Sequence, residues 1–269
     1  MHHLPVLQKD TRPSLAADKE SELAQTAGDH KKSNDGSENT VLLLGNLNVG
    51  KTTLFNRICG RHLKAANYPG TSVSIGRGDL SEGGAKFHLI DTPGINSMMP
   101  ESEDEKISWN ILLDEKPDTI ALIADGKNMR KSLLLTLQLA EFGIPLILNI
   151  NMMDEVRQRG IHIDTEKLSL LINAPVTETI ATEGEGVRSF RKLLPKAKSP
   201  RMTVSYPEKL ESAINLIAKL TDYRNLSPRA VATALLAGDE DMKDYLAASC
   251  GVDVVRQIES ITLSVQSTF

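Results

Sequence analysis

"VLLLGNLNVGKTT", residues 41–53, decides the fold. Four apolar residues run into a glycine-rich loop that ends in lysine and threonine. An unbroken apolar run of this kind reads as a strand buried on both faces. "KTTLFNRICG", which starts inside the loop, has helical spacing and stops at Gly60. Strand, loop and helix give G-x-x-x-x-G-K-[ST], here Gly45, Gly50, Lys51 and Thr52, the context of a phosphate-binding loop rather than a chance turn. Glycines let backbone N–H groups approach phosphate oxygens, and the helix N-terminus adds positive potential. Lys51 is expected to reach the outer phosphates and Thr52 to ligate magnesium. Asn46, Asn48, Val49, Gly50 and Thr53 complete the cradle.

Working outward, strands alternate with helices. "KFHLID", "TIALIAD", "PLILNIN" and "PVTETIA" read as strands. "SEDEKISWNILLDE" opens with a capping box, Ser102 and Glu105, and reads as a helix. "RKSLLLTLQLAEFG", "TEKLSLLI" and "GVRSFRKLL" also read as helices. The alternation predicts an α/β domain, a doubly wound and mostly parallel sheet covered on both faces. Past "PKAKSP" the strand signal stops, and residues 207–269 give helical patterns alone. Residues 1–40 lack aromatic residues and periodicity, and are expected to be disordered. The expected domains are a disordered extension, 1–40, a nucleotide-binding domain, 41–200, and a small all-α domain, 201–269.

The phosphate loop does not choose its nucleotide. "NMMD", residues 151–154, follows a strand where a base-reading loop belongs. Asp154 can accept two hydrogen bonds from guanine's ring N–H and amino group. Adenine offers no such pair, and a buried carboxylate would be left unsatisfied against it. Asn151 is expected to bond the other edge of guanine and tie the loop down, and the Met152 side chain to cover the base. "DTPG", residues 91–94, completes the set. Asp91 can hold magnesium through a water, and the Gly94 N–H can meet a γ-phosphate and so sense hydrolysis. GTP or GDP with magnesium are the expected ligands.

Composition bounds the rest. The chain has 269 residues, 40% hydrophobic and only 4% aromatic, so its core must be aliphatic. A net charge of −4 argues against a general nucleic-acid binder. Cys59 and Cys250 stand far apart and read as free thiols. No apolar run approaches the length of a membrane span, so the chain as given is expected to be soluble, which leaves open that it is a soluble piece of something larger. "EDE", residues 103–105, is an acidic first turn of a helix before it is an iron site. Trp109 reads as a packing residue.

"GNLNVGKTTLFN", "NYPGTSV", "DTPG" and "NMMD", in that order, resemble the GTPase domain of the FeoB ferrous-iron transporters. "YPEKLESAI" and "ATALLAGD" resemble the helical domain that follows it, which in that family is associated with slower GDP release. The resemblance covers roughly residues 41–250. It implies a membrane-spanning part of the same transporter, small cytosolic accessory proteins of iron uptake, and a place on the cytoplasmic face of the bacterial inner membrane. It leaves a homo-oligomer open, and also whether GTP gates a channel or drives a pump. It puts the first switch at Gly70, Thr71 and Ser72. Its magnesium-binding hydroxyl falls at Ser72, with Thr71 as the alternative. Asn48 matches the family's potassium-binding asparagine.

The sequence also departs from the family. Leu47 replaces a proline. The last base loop, usually Ser-Ala, reads Ile180-Ala181-Thr182. The Ala181 N–H can still meet the guanine oxygen, but the loop loses a side-chain hydrogen bond. Where Ras-like GTPases place a water-orienting glutamine stands Ile95. Hydrolysis is therefore expected to be slow and potassium-stimulated, with Asn48, Lys51, Ser72 and Gly94 as the catalytic set. A free-standing GTPase of ribosome or RNA processes is the rival reading. Residues 201–269 disfavour it, with seven Lys or Arg against nine Asp or Glu.

Overall fold

The computed structural model describes residues 38–60, 63–221 and 226–266. Its strands are β1 (Asn39–Gly45), β2 (Leu63–Asn67), β3 (Ser74–Glu82), β4 (Ala85–Asp91), β5 (Thr119–Asp125), β6 (Leu146–Asn151) and β7 (Val176–Glu178). They form one seven-stranded sheet in the order β2-β3-β4-β1-β5-β6-β7. The helices are α1 (Lys51–Cys59), α2 (Glu103–Glu115), α3 (Met129–Glu141), α4 (Met153–Gln158), α5 (Thr165–Ile172) and α6 (Val187–Leu193). The C-terminal set follows: α7 (Glu208–Leu220), α8 (Pro228–Leu236), α9 (Glu240–Cys250) and α10 (Val252–Gln266). β1 opens at Asn39. Of residues 1–40, expected to be disordered, Asn39 and Thr40 are strand, and residues 1–37 lie outside the described residues.

Strand periodicity sorts the core into two layers. On β1, Leu42 and Leu44 point to one face of the sheet, and Val41 and Leu43 to the other. The first face is covered by α2, α3 and residues of α7, α8 and α9, including Ile214, Leu235 and Met242. The second is covered by α1 and α6 through Leu54, Phe55, Ile58 and Phe190. β4, β1, β5, β6 and β7 run parallel, as apolar runs connected through helices require. The sequence reading omitted β2 and β3. Both pair antiparallel at one edge of the sheet; every residue of β2 is exposed, and β3 buries only Ile75, Gly78 and Leu80, so neither carries a regular apolar alternation.

The C-terminal helices are fastened to the sheet domain at the end of α3. Arg229 donates to Glu211 through both terminal nitrogens, each at 2.8 Å, and to the Val204 carbonyl at 2.7 Å. Its Nε lies 3.4 Å from Glu141, whose carboxylate is buried at the α3 end and also accepts the Val204 N–H at 3.2 Å. The Tyr206 ring sits beneath the guanidinium, 5.6 Å away. Nearby, the Ser227 N–H donates to the Phe142 carbonyl at 2.9 Å.

This hub sets a pH dependence. The Arg229 hydrogen bonds, helped by the Tyr206 N–H, hold the Glu211 carboxyl at about 2. A depressed carboxyl contributes stability that is present above its ordinary range and lost as pH falls toward that value. The melting temperature is therefore expected to drop between about pH 4.5 and pH 2, and Arg229→Met should flatten that drop. At pH 7 the same substitution strands Glu141. It should lower the melting temperature by about 5 °C, equivalent to ~2 kcal/mol. Thermal unfolding followed by circular dichroism across pH checks both. Equal slopes for the two proteins would refute the assignment.

Candidate functional site

β1 lies between β4 and β5, where the order of the sheet reverses, and a ligand crevice is expected beyond its carboxyl end. The phosphate loop occupies that place. Gly50 has φ +86°, and a Cβ there would lie 2.4 Å from Asn151 Nδ2, so the loop demands glycine for both backbone and space. Asn48 also has positive φ, at 61°, a conformation asparagine tolerates, and its side chain is exposed. Lys51 is 7% exposed, with Nζ 3.5 Å from the Gly45 carbonyl. Burial pushes its pKa down, and Asp91 partly offsets this. Thr53 is exposed on the first turn of α1.

Thr52 and Asp91 meet directly. The Thr52 hydroxyl donates to Asp91 Oδ2 at 2.7 Å, while Asp91 Oδ1 is buried without a partner. Burial pushes the Asp91 carboxyl up, opposed by the Thr52 hydrogen bond and the Lys51 charge. A hydroxyl and a carboxylate with an unsatisfied oxygen make a hard oxygen donor set that fits magnesium. Lys51 is short of anions and Asp91 of cations, and a phosphate–magnesium pair supplies both.

The second switch starts zipped to the phosphate loop. The Ile95 N–H donates to the Gly45 carbonyl at 3.0 Å, and Asn46 Nδ2 donates to the Ile95 carbonyl at 3.1 Å. Ser132 of α3 donates to Asn46 Oδ1 at 3.2 Å, so buried Asn46 serves as a brace. The Ile95 side chain is in the core, 3% exposed. A Cβ on Gly94 would lie 2.7 Å from the Leu47 side chain, so only glycine fits beneath that leucine.

Glu105 has a role beyond the capping box. Ser102 accepts the Glu105 N–H at 3.2 Å, as the box requires. The Glu105 carboxylate is buried and accepts from the Asn96 N–H at 2.9 Å, the Asn96 amide at 3.1 Å and the Glu101 N–H at 3.0 Å. Burial pushes its pKa up, but these donors outweigh it and hold it below the usual carboxylate range. It is a clamp on the second-switch loop. Among the described residues no acidic, His or Cys cluster is arranged to hold a metal.

The base-reading loop shows Asn151 tying the loop down, as the sequence predicts. Asn151 is 3% exposed, and its amide makes three hydrogen bonds inside the protein. Its Nδ2 donates to the Val49 carbonyl at 2.9 Å, and its Oδ1 accepts from Thr179 and from the Ala181 N–H, both at 3.0 Å. Asn151 therefore ties the phosphate loop to the last base loop. The Ala181 N–H, expected at the guanine oxygen, is held by that tie. Thr179 in turn accepts from fully buried Asn149 at 2.8 Å, a network with no signal in the sequence. Met152, at φ +63°, turns the chain into α4, which sets half-buried Asp154 in its first turn. Ile180 is buried in the core. In place of the missing serine hydrogen bond, Arg57 of α1 donates to the Thr182 carbonyl, and Arg157 pairs with Glu185 at 2.7 Å.

The first switch forms the exposed turn between β2 and β3, with Gly70 at φ +75°. The Thr71 hydroxyl donates to the Tyr68 carbonyl at 3.0 Å and accepts the Val73 N–H at 3.2 Å. Thr71 is thus used within its own turn, whereas the Ser72 side chain is exposed beside it. Tyr68 reaches Asp114 of α2 at 3.3 Å, and burial followed by the neighbouring Asp114 pushes its phenol up to about 12.

The family model described as ferrous iron transport protein B matches residues 39–194. A fusion of Fe(2+) transport protein A with Fe(2+) transporter FeoB from Porphyromonas gingivalis is 31% identical over 218 residues, 77% of this chain and 26% of that protein. The chain thus spans about a quarter of the length of that curated relative. A GDP-bound point mutant of S. thermophilus NFeoB superposes with a TM-score of 0.74 at 31% identity, covering 87% of this chain and 91% of that one. The cytosolic domain of the T. maritima FeoB iron transporter in its GMPPNP form gives 0.70 at 29% identity, covering 86% and 98%.

Proposed function

Since this chain belongs to the FeoB family of ferrous iron transport proteins, we propose that it binds GTP and hydrolyses it slowly, regulating or driving ferrous iron uptake through a membrane-spanning part of the same transporter. In this reading residues 41–200 are the GTPase domain and residues 201–269 a helical domain. The observation that carries it is the joining of three motifs at the carboxyl ends of the central strands. Thr52 bonds Asp91, Gly45 and Asn46 bond Ile95, and Asn151 bonds Val49. The GDP and GMPPNP forms of its relatives support a guanine nucleotide there.

Each residue has a task in this reading. Backbone N–H groups of residues 46–53 and the Lys51 ammonium bind the phosphates. Thr52, Asp91 and the Ser72 hydroxyl hold magnesium, which when bound neutralises charge on the outer phosphate oxygens. Ser72 is favoured over Thr71 because the Thr71 hydroxyl already serves its turn. The Gly94 N–H meets the γ-phosphate. Asp154 reads guanine, Met152 covers it, and Ala181 and Thr182 close the pocket. Ile95 cannot orient water, because its side chain is committed to the core. Potassium, when bound at Asn48, supplies positive charge where the transition state builds negative charge. Partners in this reading include small accessory proteins of the iron-uptake system, and one relative carries such a protein fused to it. The setting is the cytoplasmic face of the bacterial inner membrane.

Phosphate release in potassium, sodium and a large organic cation at equal ionic strength tests it. Potassium should accelerate release and sodium should not. Asn48→Ala should remove the acceleration while leaving GDP affinity nearly intact, because the cation is needed most in the transition state. Identical rates in all three salts would refute the role of Asn48. Ile95 burial favours a second reading, a switch that binds GTP and scarcely turns it over. No release above background in any salt would select it.

A further inference from the structure

The chain is acidic overall, yet it contains one strongly basic stretch. From Gly186 to Pro207 there is no Asp or Glu, while Arg188, Arg191, Lys192, Lys196, Lys198 and Arg201 all fall within it. α6 and the short 3-10 turn Leu194–Lys196 bury Val187, Phe190 and Leu194 against the sheet. That spacing turns Arg188, Lys192 and Lys196, each four residues from the last, outward as one exposed stripe. Lys198 and Arg201 are exposed just beyond it. Arg191 is committed to Glu82 at 3.1 Å, but the other five make no ion pair among the described residues.

Placement adds to the charge. Gly186 lies against the Glu178 carbonyl at the carboxyl end of β7. The Lys198 carbonyl accepts the N–H of Leu146 at the start of β6, at 2.9 Å. The stripe therefore runs from the nucleotide end of the sheet toward the opposite end.

We propose that this face rests on an anionic lipid bilayer, through Arg188, Lys192, Lys196, Lys198 and Arg201. The inference rests on the transporter reading above, which keeps the chain beside a membrane. Clusters of four to eight Lys or Arg recognise anionic headgroups, each residue adding about fivefold to binding. Glu82 and Glu185, close to the stripe, are already paired with Arg191 and Arg157, and exposed acidic groups more than about 8 Å away are screened. The rest of the chain carries the acidic balance, which favours this face in an approach to an anionic surface. A nucleic acid is the less favoured occupant: the stretch from Gly186 to Pro207 offers a single tyrosine and no tryptophan for base stacking.

Co-sedimentation of the 269-residue chain with vesicles tests this. Phosphatidylglycerol–phosphatidylcholine vesicles are compared with pure phosphatidylcholine, at low and high salt. Binding is expected to the anionic vesicles alone, and to vanish at high salt. Arg188→Glu, Lys192→Glu and Lys196→Glu combined should weaken it at least about a hundredfold. The same sites changed to Gln provide a second variant should the reversed one fail to fold. Equal binding to both vesicles, or binding that survives the substitutions, overturns the proposal. So does stronger binding to poly(U) RNA than to the anionic vesicles. GDP affinity measured on the same samples reports separately on the nucleotide reading, and the vesicle result decides this one whichever way that falls.

Discussion

Lys51→Ala is expected to weaken GDP and GTP binding by at least about a hundredfold, or ~3 kcal/mol, the scale of a charge-assisted hydrogen bond lost from a desolvated site. The ammonium is 7% exposed and touches no carboxylate; the Gly45 carbonyl at 3.5 Å is its one hydrogen-bond acceptor among the described residues. Burial pushes its pKa down, so an anion in the loop relieves a charge that the protein alone does not satisfy. Removing the ammonium removes that relief and leaves the phosphates facing backbone N–H groups only. Thr52→Ala acts elsewhere. It frees both Asp91 oxygens and should weaken mainly the magnesium-dependent binding of GTP. Titration calorimetry with and without magnesium separates the two effects. If Lys51→Ala hydrolyses GTP at the normal rate, the loop is not the phosphate site.

The second large effect concerns the base. Asp154→Asn should cost on the order of 2–4 kcal/mol of guanine-nucleotide affinity, because one acceptor becomes a donor facing guanine's N–H groups. Asp154 is set in the first turn of α4 by the Met152 turn, and the loop before it is pinned through Asn151 to Val49 and Ala181. The substitution should therefore alter recognition without moving the loop. Equal affinity of the unaltered protein for ATP and GTP would sink the assignment.

What was legible in the sequence follows from what each segment buries. β1, β5 and β6 are apolar on both faces, and α7 and α8 carry one apolar stripe each, so their runs and periods are readable. β2 is exposed throughout, so no pattern marks it. The phosphate-binding residues were readable because phosphate imposes glycine, lysine and threonine at fixed spacing. The braces were not. Asn46 to Ser132, Asn149 to Thr179 and Glu105 to Asn96 join residues by side-chain hydrogen bonds whose partners only the folded chain brings together. Asn151 shows the limit most directly. Its motif predicts a tie, but that the tie joins Val49 of the phosphate loop to Ala181 of the last base loop is legible only in the folded chain.

Trp109 is the chain's only tryptophan, and it is almost fully buried on α2, the helix that follows the second switch. Its ring meets Phe142 edge-on at 5.6 Å, just past the end of α3, where the C-terminal helices are fastened. Its indole N–H has no hydrogen bond of ordinary length, and neither does Asp239 Oδ2 at the start of α9. Burial raises the Asp239 carboxyl, and the Met242 N–H and this indole pull it back. Indole emission depends on the polarity and charge around the ring. The protein thus carries a built-in optical probe at the seam between switch and helical layer. A change in indole emission on adding GDP is the expected sign that nucleotide binding reaches this seam, readable with no dye attached.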